Sequence, residues 1–316
     1  MNASSSRSNQ PVNIHIIDPA TTGKNRPPTD WIAESAQTVL DSALSAEYRD
    51  DRFHSWKPGP DLIAAVAEAD GEPIAYLGGT VDRERLQLDG LLAASRAAGA
   101  DGQMLLAALY HALERSIAAS GAKTIELWGK PAESWHRALA NREGFDELRS
   151  LHQLRCTLPL DVPTLETRPF VPGQDEELLL RVNNRAFASH PDQGNMSLQD
   201  LENASNQAWF DPDGIRLYQD PDDPEHLAGF CWTKIHEPLS EGQPRLGEIY
   251  AIGIDPDHHG KGLGKPMTAA GLSWLVDQGL TTGMLYVEAD NEPALRTYYK
   301  LGFERHRTDT AWQKRA

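Results

Sequence analysis

The sequence predicts two tandem domains of the α+β class, each with an α/β three-layer-like organisation. Three observations carry that reading: a length of 316 residues, a proline-rich break near the middle, and the same order of strand-like and helix-like segments on both sides of it. At roughly 150 residues per domain, the length favours two domains over one. The break runs over 156–172 and contains Pro159, Pro163, Pro169 and Pro172. Proline fixes φ and has no N–H to donate, so neither a helix nor a central strand passes through it. The expected division is an N-terminal domain at 1–158, a linker at 159–163 and a C-terminal domain at 164–316.

Each half opens with a short strand (12–17; 165–170) and a helical stretch (30–49; 174–188). Three β-rich runs follow, at 62–67, 73–78 and 85–92 in the first half and at 215–219, 227–236 and 247–254 in the second. A glycine-containing turn then leads into an amphipathic helix (103–119; 264–278). Each half closes with a strand (123–128; 283–289), a short helix and a Gly-Phe pair, Gly144-Phe145 or Gly302-Phe303. Strands and helices in this order suit α+β or α/β packing. Its repetition at a period of ~155 residues predicts a duplication.

Composition excludes several functions. With 30 Lys+Arg against 46 Asp+Glu the net charge is −16, which argues against a nucleic-acid binder, whose affinity comes from cations on phosphate. A phosphorylated small molecule stays possible, because backbone amides hold phosphate without net positive charge. No run approaches the ~18 apolar residues of a membrane span. Residues 1–10 lack the apolar core of a secretory leader, and Cys156 and Cys231 are too few for a disulfide framework. The expectation is a cytoplasmic protein with no membrane or nucleic-acid partner.

The most informative stretch is 248–266. A β-rich run ends at Asp255-Pro256, then come Gly260, Gly262 and Gly264, and Pro266 falls in the first turn of a helix. Proline is tolerated there because the first N–H groups of a helix have no internal partner. Exposed glycine amides and a helix N-terminus form an anion cradle, although glycines alone fit a plain strand–turn–helix connection equally well. Further on, Asn291, Ala294, Tyr298 and Gly302 are spaced 3, 4 and 4 residues apart, along one helical face. A core-facing stripe ending in a glycine cap accounts for Ala294 and Gly302. It leaves Asn291 and a phenol at 298 unexplained.

In this order and about 30 residues apart, the two motifs together resemble the GNAT acyl-CoA N-acetyltransferase family. That resemblance implies, for each domain, a mixed, mostly antiparallel sheet flanked by helices, with acetyl-CoA as co-substrate and no metal. The family's pyrophosphate pattern falls on His259, Gly260, Lys261, Gly262, Leu263 and Gly264, followed by Lys265. His259 departs from the usual Gln or Arg, a small change if the contacts are main-chain. Ile252, Gly253 and Ile254 take the strand positions whose amides meet pantetheine and thioester. Asn291, Glu292, Pro293, Ala294, Leu295 and Arg296 fall where the family touches the CoA arm, and Tyr298 brings its hydroxyl to the thioester sulfur.

Acetyl transfer to an amine needs a neutral amine, a polarised carbonyl and a proton for the departing thiolate. An amide near Ile252 can donate to the thioester oxygen. Glu248 lies four residues before Ile252, and a period of two puts both side chains on one strand face. Glu248 is therefore the expected general base and Tyr298 the expected general acid.

Segments 181–194, 208–214, 229–236, 285–291 and 296–298 look like one tandem branch of the family. That branch acetylates the cysteinyl amine of Cys-GlcN-inositol (Cys-GlcN-Ins). The likeness is dense over 165–312 and weak before it. It implies acceptor contacts at Asp192, Lys234, Glu248 and Tyr286, with Asp192 standing where the family has Glu. An acidic chain also suits a cationic acceptor. His190, His236, His258 and His259 form no metal set and read as solvent-facing or hydrogen-bonded.

In the first half the pyrophosphate loop falls on 96–101, with Asp101 in place of the final small residue. A carboxylate there repels phosphate by ~1–4 kcal/mol, depending on screening. Counting back from Gly144-Phe145, the Asn, Ala and Tyr positions hold Glu133, His136 and Ala140. The N-terminal copy is therefore expected not to catalyse and to bind acetyl-CoA poorly or not at all, serving as scaffold and acceptor-site wall, and the tandem chain is expected to be a monomer. Two other readings stay open: a GNAT enzyme for another amine, such as a peptide N-terminus or small molecule, and a non-catalytic acetyl-CoA-binding regulator.

Overall fold

The computed structural model describes residues 12–18, 29–43, 62–93, 100–188, 194–238 and 244–316. Contacts divide the chain into two units: Met1–Ser150 with Thr308–Ala316, and Leu151–Arg307. The division thus falls at 150/151, and the expected linker at 159–163 lies inside the second unit. The difference has a topological cause. Each half ends in a long strand that the sequence reading did not foresee, and each of those strands carries the chain from one unit to the other.

The first unit contains β1 (Asn13–Ile17), α1 (Thr29–Ala43), β2 (Ile63–Ala69), β3 (Glu72–Asp82), β4 (Arg85–Leu92), α2 (Ala100–Ala119), β5 (Thr124–Gly129), α3 (Ser134–Arg142) and the start of β6 (Asp146–Thr157). Its sheet order is β1-β2-β3-β4-β5. The strands pair antiparallel except β4 with β5, which are parallel. Alternation along β2 builds two cores. Ala64 and Val66 pack with Val39 of α1 and Tyr76, while Ile63, Ala65 and Ala67 pack with Leu106 and Leu109 of α2. The turn between β2 and β3 is Asp70-Gly71, both at positive φ (57° and 81°), the two-residue hairpin geometry that such a pair favours.

The second unit contains the rest of β6, β7 (Arg168–Pro169), α4 (Glu176–Ala186), α5 (Leu198–Ser205), β8 (Ile215–Gln219), β9 (Leu227–His236), β10 (Leu246–Ile254), α6 (Gly264–Asp277), β11 (Thr282–Glu288), α7 (Glu292–Lys300) and the start of β12 (Glu304–Arg315). Sheet order is β6-β11-β10-β9-β8-β7, with β10 and β11 parallel and the others antiparallel. Here too helices cover both faces. Leu179 and Val182 of α4 and Leu201 of α5 pack on Phe230, Trp232 and Ala251. Met267, Leu272 and Leu275 of α6 and Leu295 of α7 pack on Cys231, Ile249, Leu285 and Val287. Both units are therefore mixed, mostly antiparallel sheets between helices, as the resemblance implied. Among the described residues no helix is long and apolar enough to cross a membrane.

The last residues of the chain complete the first unit. Thr310–Arg315 of β12 pair antiparallel with β5, and Trp312, 1% exposed, sits in the α2-side core. Trp312→Ala should therefore destabilise the first unit by about 3–5 kcal/mol, the usual cost of truncating a buried tryptophan. Denaturant unfolding with limited proteolysis checks this, with early cleavage expected within 62–150. Early cleavage confined to 151–307 would contradict the assignment.

Candidate active site

One extra residue in β10 shapes the site. Glu248 pairs with Lys234 and Ile249 with Thr233, but Ala251 pairs with Trp232, so Tyr250 is a bulge. A bulge bends the strand and raises its local twist. The parallel ladder between β10 and β11 stops at the same level: it runs Gly247↔Gly283, Glu248↔Met284, Ile249↔Leu285 and no further. Beyond it, β10 continues along β9 to Ile254↔Gly229, and β11 continues along β6 to Glu288↔Leu151. The two strands separate into a wedge whose edges are peptide groups of Ala251–Ile254 and Tyr286–Glu288. Backbone groups freed from a ladder need other partners, and an amide-bearing chain laid in the wedge would supply them.

The bulge also overturns the face argument for Glu248 and Ile252. Their partners, Lys234 and Cys231, are three residues apart on a strand that is regular there, so the two side chains point to opposite faces. Ile252 packs with the α6 and α7 core. Glu248 lies on the other face, beside Lys234, and is 7% exposed. Its Oε2 accepts from His236 Nε2 at 2.7 Å, and both side chains are about nine-tenths buried.

Lys234 is 9% exposed, with Nζ 4.8 Å from the Trp209 ring centre and 5.9 Å from that of Tyr250. The two rings lie 5.0 Å apart, so the ammonium meets two π faces, an arrangement worth roughly 0.5–2 kcal/mol. Tyr250 is the residue that the bulge inserts. Tyr286 follows the end of the β10–β11 ladder, on the same face as Glu248 and Met284. Its hydroxyl accepts from Gln153 Nε2 and, at 3.1 Å, from Arg307 Nη2. Arg155 Nε in turn donates to Gln153 Oε1 at 2.9 Å. The structure thus brings Lys234, Glu248 and Tyr286 onto one face of three adjacent strands. Asp192 lies outside the described residues.

Below the wedge the chain turns into α6. Gly260 and Gly262 both have φ +78°, and a Cβ built on Gly260, Gly262 or Gly264 meets nothing within 4 Å. Leu263 is the N-cap, with no side chain capping the helix, and the first turn holds Lys265 and no acid. Open amides at an uncapped helix start form an anion cradle. The loop is tied down from below. His259 Nε2 donates to the Ile254 carbonyl at 3.0 Å, and Lys261 Nζ donates to His258 Nδ1 at 3.2 Å. Asp255, at the end of β10, accepts from Arg185 of α4 at 2.7 and 3.0 Å and from the Asp257 amide. The guanidinium hydrogen bonds hold this carboxyl below its usual range.

Helix α7 gives Asn291 a structural task that the sequence reading did not supply. Asn291 is the N-cap, its Oδ1 accepting from the Ala294 amide at 3.2 Å. Pro293 stands in the first turn, Glu292 pairs with Arg296 at 3.3 Å, and Leu295 is buried. Tyr298 is 8% exposed in the same core as Ile252 and edge-on to Phe303. Burial pushes its phenol pKa up, so the proton stays on.

The first unit differs at every one of these points. Residues 96–99 lie outside the described residues, and Asp101 falls in the first turn of α2. Strands β3 and β4 pair without a bulge from Ala75↔Leu92 to Asp82↔Arg85. The parallel β4–β5 ladder runs unbroken over five pairs, to Asp89↔Trp128. Counting back from the Gly-Phe pairs, Met284 corresponds to Glu126, whose partner on β4 is Gln87. Glutamine thus stands where the second unit has Glu248. His136 is buried, accepts from the Glu133 amide at Nδ1 (3.0 Å) and donates from Nε2 to the Gly90 carbonyl (3.3 Å). Burial lowers its pKa to about 3, so it is neutral.

Residues 179–303 match the family model described as acetyltransferase (GNAT). The chain is 44% identical over 199 residues to a mycothiol acetyltransferase of Kocuria rhizophila, covering 60% of this chain and 65% of that one. It is 36% identical over 282 residues to one of Amycolatopsis mediterranei, covering 79% and 92%. The match thus spans about two thirds of the Kocuria relative, 65% of its length, and nearly all of the Amycolatopsis one. Among solved structures it is similar to a GCN5-related N-acetyltransferase from Sphaerobacter thermophilus (TM-score 0.71, 20% identity, 96% and 95% of the two chains). It is also similar to a tandem GNAT protein from the clavulanic acid biosynthesis pathway (TM-score 0.61, 16% identity, 96% and 98%). At these identities the likeness is one of fold.

Capping by Asn291 is separable from any contact with a ligand. Asn291→Ala should lower unfolding stability by about 1 kcal/mol, whereas Asn291→Ser, which can cap, should stay within a few tenths of that of the parent. Urea denaturation of the three proteins measures the difference; equal stability of all three would remove the cap.

Proposed function

The chain belongs to the mycothiol acetyltransferase family, and from that premise we propose that it transfers the acetyl group of acetyl-CoA to the cysteinyl amine of Cys-GlcN-Ins. One observation carries the reading: a wedge between parallel strands β10 and β11 that opens beside a buried carboxylate, Glu248. Acetyl-CoA supplies the acyl group and a thiolate leaving group. The amides of Gly260–Lys265, at an uncapped helix start with open space over its glycines, fit its pyrophosphate, which reconciles a net charge of −16 with an anionic co-substrate. Peptide groups of Ile252–Ile254 fit the pantetheine and thioester, and the Ile252 amide is the donor for the carbonyl oxygen. Residues 291–296 fit the outer arm.

Glu248 takes the proton of the acceptor amine, and Lys234 and Tyr286, on the same face, engage the polyol. Asp192 joins them by its place in the sequence. Tyr298 supplies the proton to the departing sulfur; its burial keeps that proton in place until charge develops there. We also propose that the N-terminal unit neither catalyses nor holds acetyl-CoA. Its β4–β5 ladder runs one pair further than the β10–β11 ladder, to Asp89↔Trp128, His136 occupies the Gly90 carbonyl, and Gln87 cannot act as a base. The enzyme then works as a monomer.

Turnover of acetyl-CoA with Cys-GlcN-Ins tests the first proposal. Glu248→Gln should lower kcat/KM for the amine by roughly 10²–10⁴-fold, and Tyr298→Phe should lower kcat within the same range. Binding of acetyl-CoA without turnover by the parent protein would favour a regulator instead. Calorimetry with acetyl-CoA tests the second proposal: one tight site per chain is expected, and two equivalent sites would refute it.

A further inference from the structure

The two oxygens of Glu248 stand in different surroundings. Oε2 is held by His236, while Oε1 has no hydrogen bond from the described residues and is not sealed from solvent. His236 ends β9, two residues after Lys234 and on the same face. A carboxylate only accepts, so Nε2 of His236 carries the hydrogen. Other charged groups on this face include Lys234, Arg155, Arg307 and, two residues beyond Tyr286 on β11, Glu288, and Glu237 beyond the strand end is paired with Arg245 at 2.9 Å. The helix packed on β9, α4, meets it through apolar Leu179 and Val182.

We propose that His236 is the positioning residue of the general base, holding Glu248 by Oε2 so that Oε1 alone faces the acceptor amine. This rests on Glu248 being the base. The amine's proton passes to Oε1, the N–H electron pair stays on nitrogen, and the hydrogen on His236 Nε2 does not move.

The test replaces His236 by Leu, which fills the space without a donor, and by Gln, which donates but does not titrate. Glu248→Gln serves as the control. His236→Leu should cut kcat/KM for the amine by about 10–100-fold, the range for a buried polar group left unpaired, with an unchanged KM for acetyl-CoA. His236→Gln, which keeps a donor, should recover most of the rate. Equal losses in both variants would mean that His236 is merely structural and would overturn the proposal. Full activity in Glu248→Gln would instead overturn the general-base reading. If the Leu variant fails to fold, ¹⁵N NMR of the parent decides: an Nε2–H tautomer is expected, and an Nδ1–H tautomer refutes the proposal.

Discussion

The C-terminal site depends on one irregularity, the bulge at Tyr250. Without it, β10 would keep a period of two, and Ile252 would leave the α6 core for the face of Glu248. With it, the strand changes phase. Glu248 stays beside Lys234 and His236 on the α4 side, and Ile252 and Ile254 return to the apolar core on the α6 side. The same twist ends the ladder to β11 at Ile249↔Leu285, so ladder hydrogen bonds are lost where a ligand's amides could replace them. The inserted side chain adds a further contact, since its ring lies over Lys234. Entry of an acyl arm and placement of an acceptor-facing cation thus share one structural cause.

The first unit shows what the same strand order does without that residue. Its β4 pairs regularly with both neighbours, its two cores are continuous, and a neutral histidine is fastened to the carbonyl of Gly90. The two units share an architecture, and the difference in chemistry comes down to register.

Much of this was legible in the sequence. The runs at 85–92, 215–219 and 227–236 coincide with β4, β8 and β9, because alternation and bounding turn residues act locally. Strands β6 and β12 were not legible. Their segments are rich in Arg, Glu, His and Asp, so apolar alternation is weak, and burial at Leu154, Trp312 and Ala311 is set by partners far along the chain. Missing them also misplaced the unit boundary and hid Gln153 and Arg307. The bulge has no local mark in Ile249-Tyr250-Ala251, since only the partner strand reveals an unpaired residue. His236 did have a signal: Trp232, Lys234 and His236 alternate along β9, and a residue two positions from an acceptor-facing lysine shares its face. The N-cap role of Asn291 was also legible, since it stands two residues before a proline in the first turn of α7.

The overall charge needs the same local treatment. A net charge of −16 suggested an acidic field suited to a cationic acceptor. On the face that carries Glu248, however, Lys234 stands beside it and Arg155 and Arg307 lie around Tyr286, with Glu288 farther along β11 and His236 bonded to Glu248 itself. A broadly acidic field would stabilise the ammonium form of an amine, which has no lone pair to attack a thioester. Nearby cations disfavour that form, and one correctly placed carboxylate oxygen suffices to take the proton. On the proposed reading, amine recognition and amine activation therefore call for the same arrangement: one base, held by a histidine hydrogen bond, with a lysine beside it.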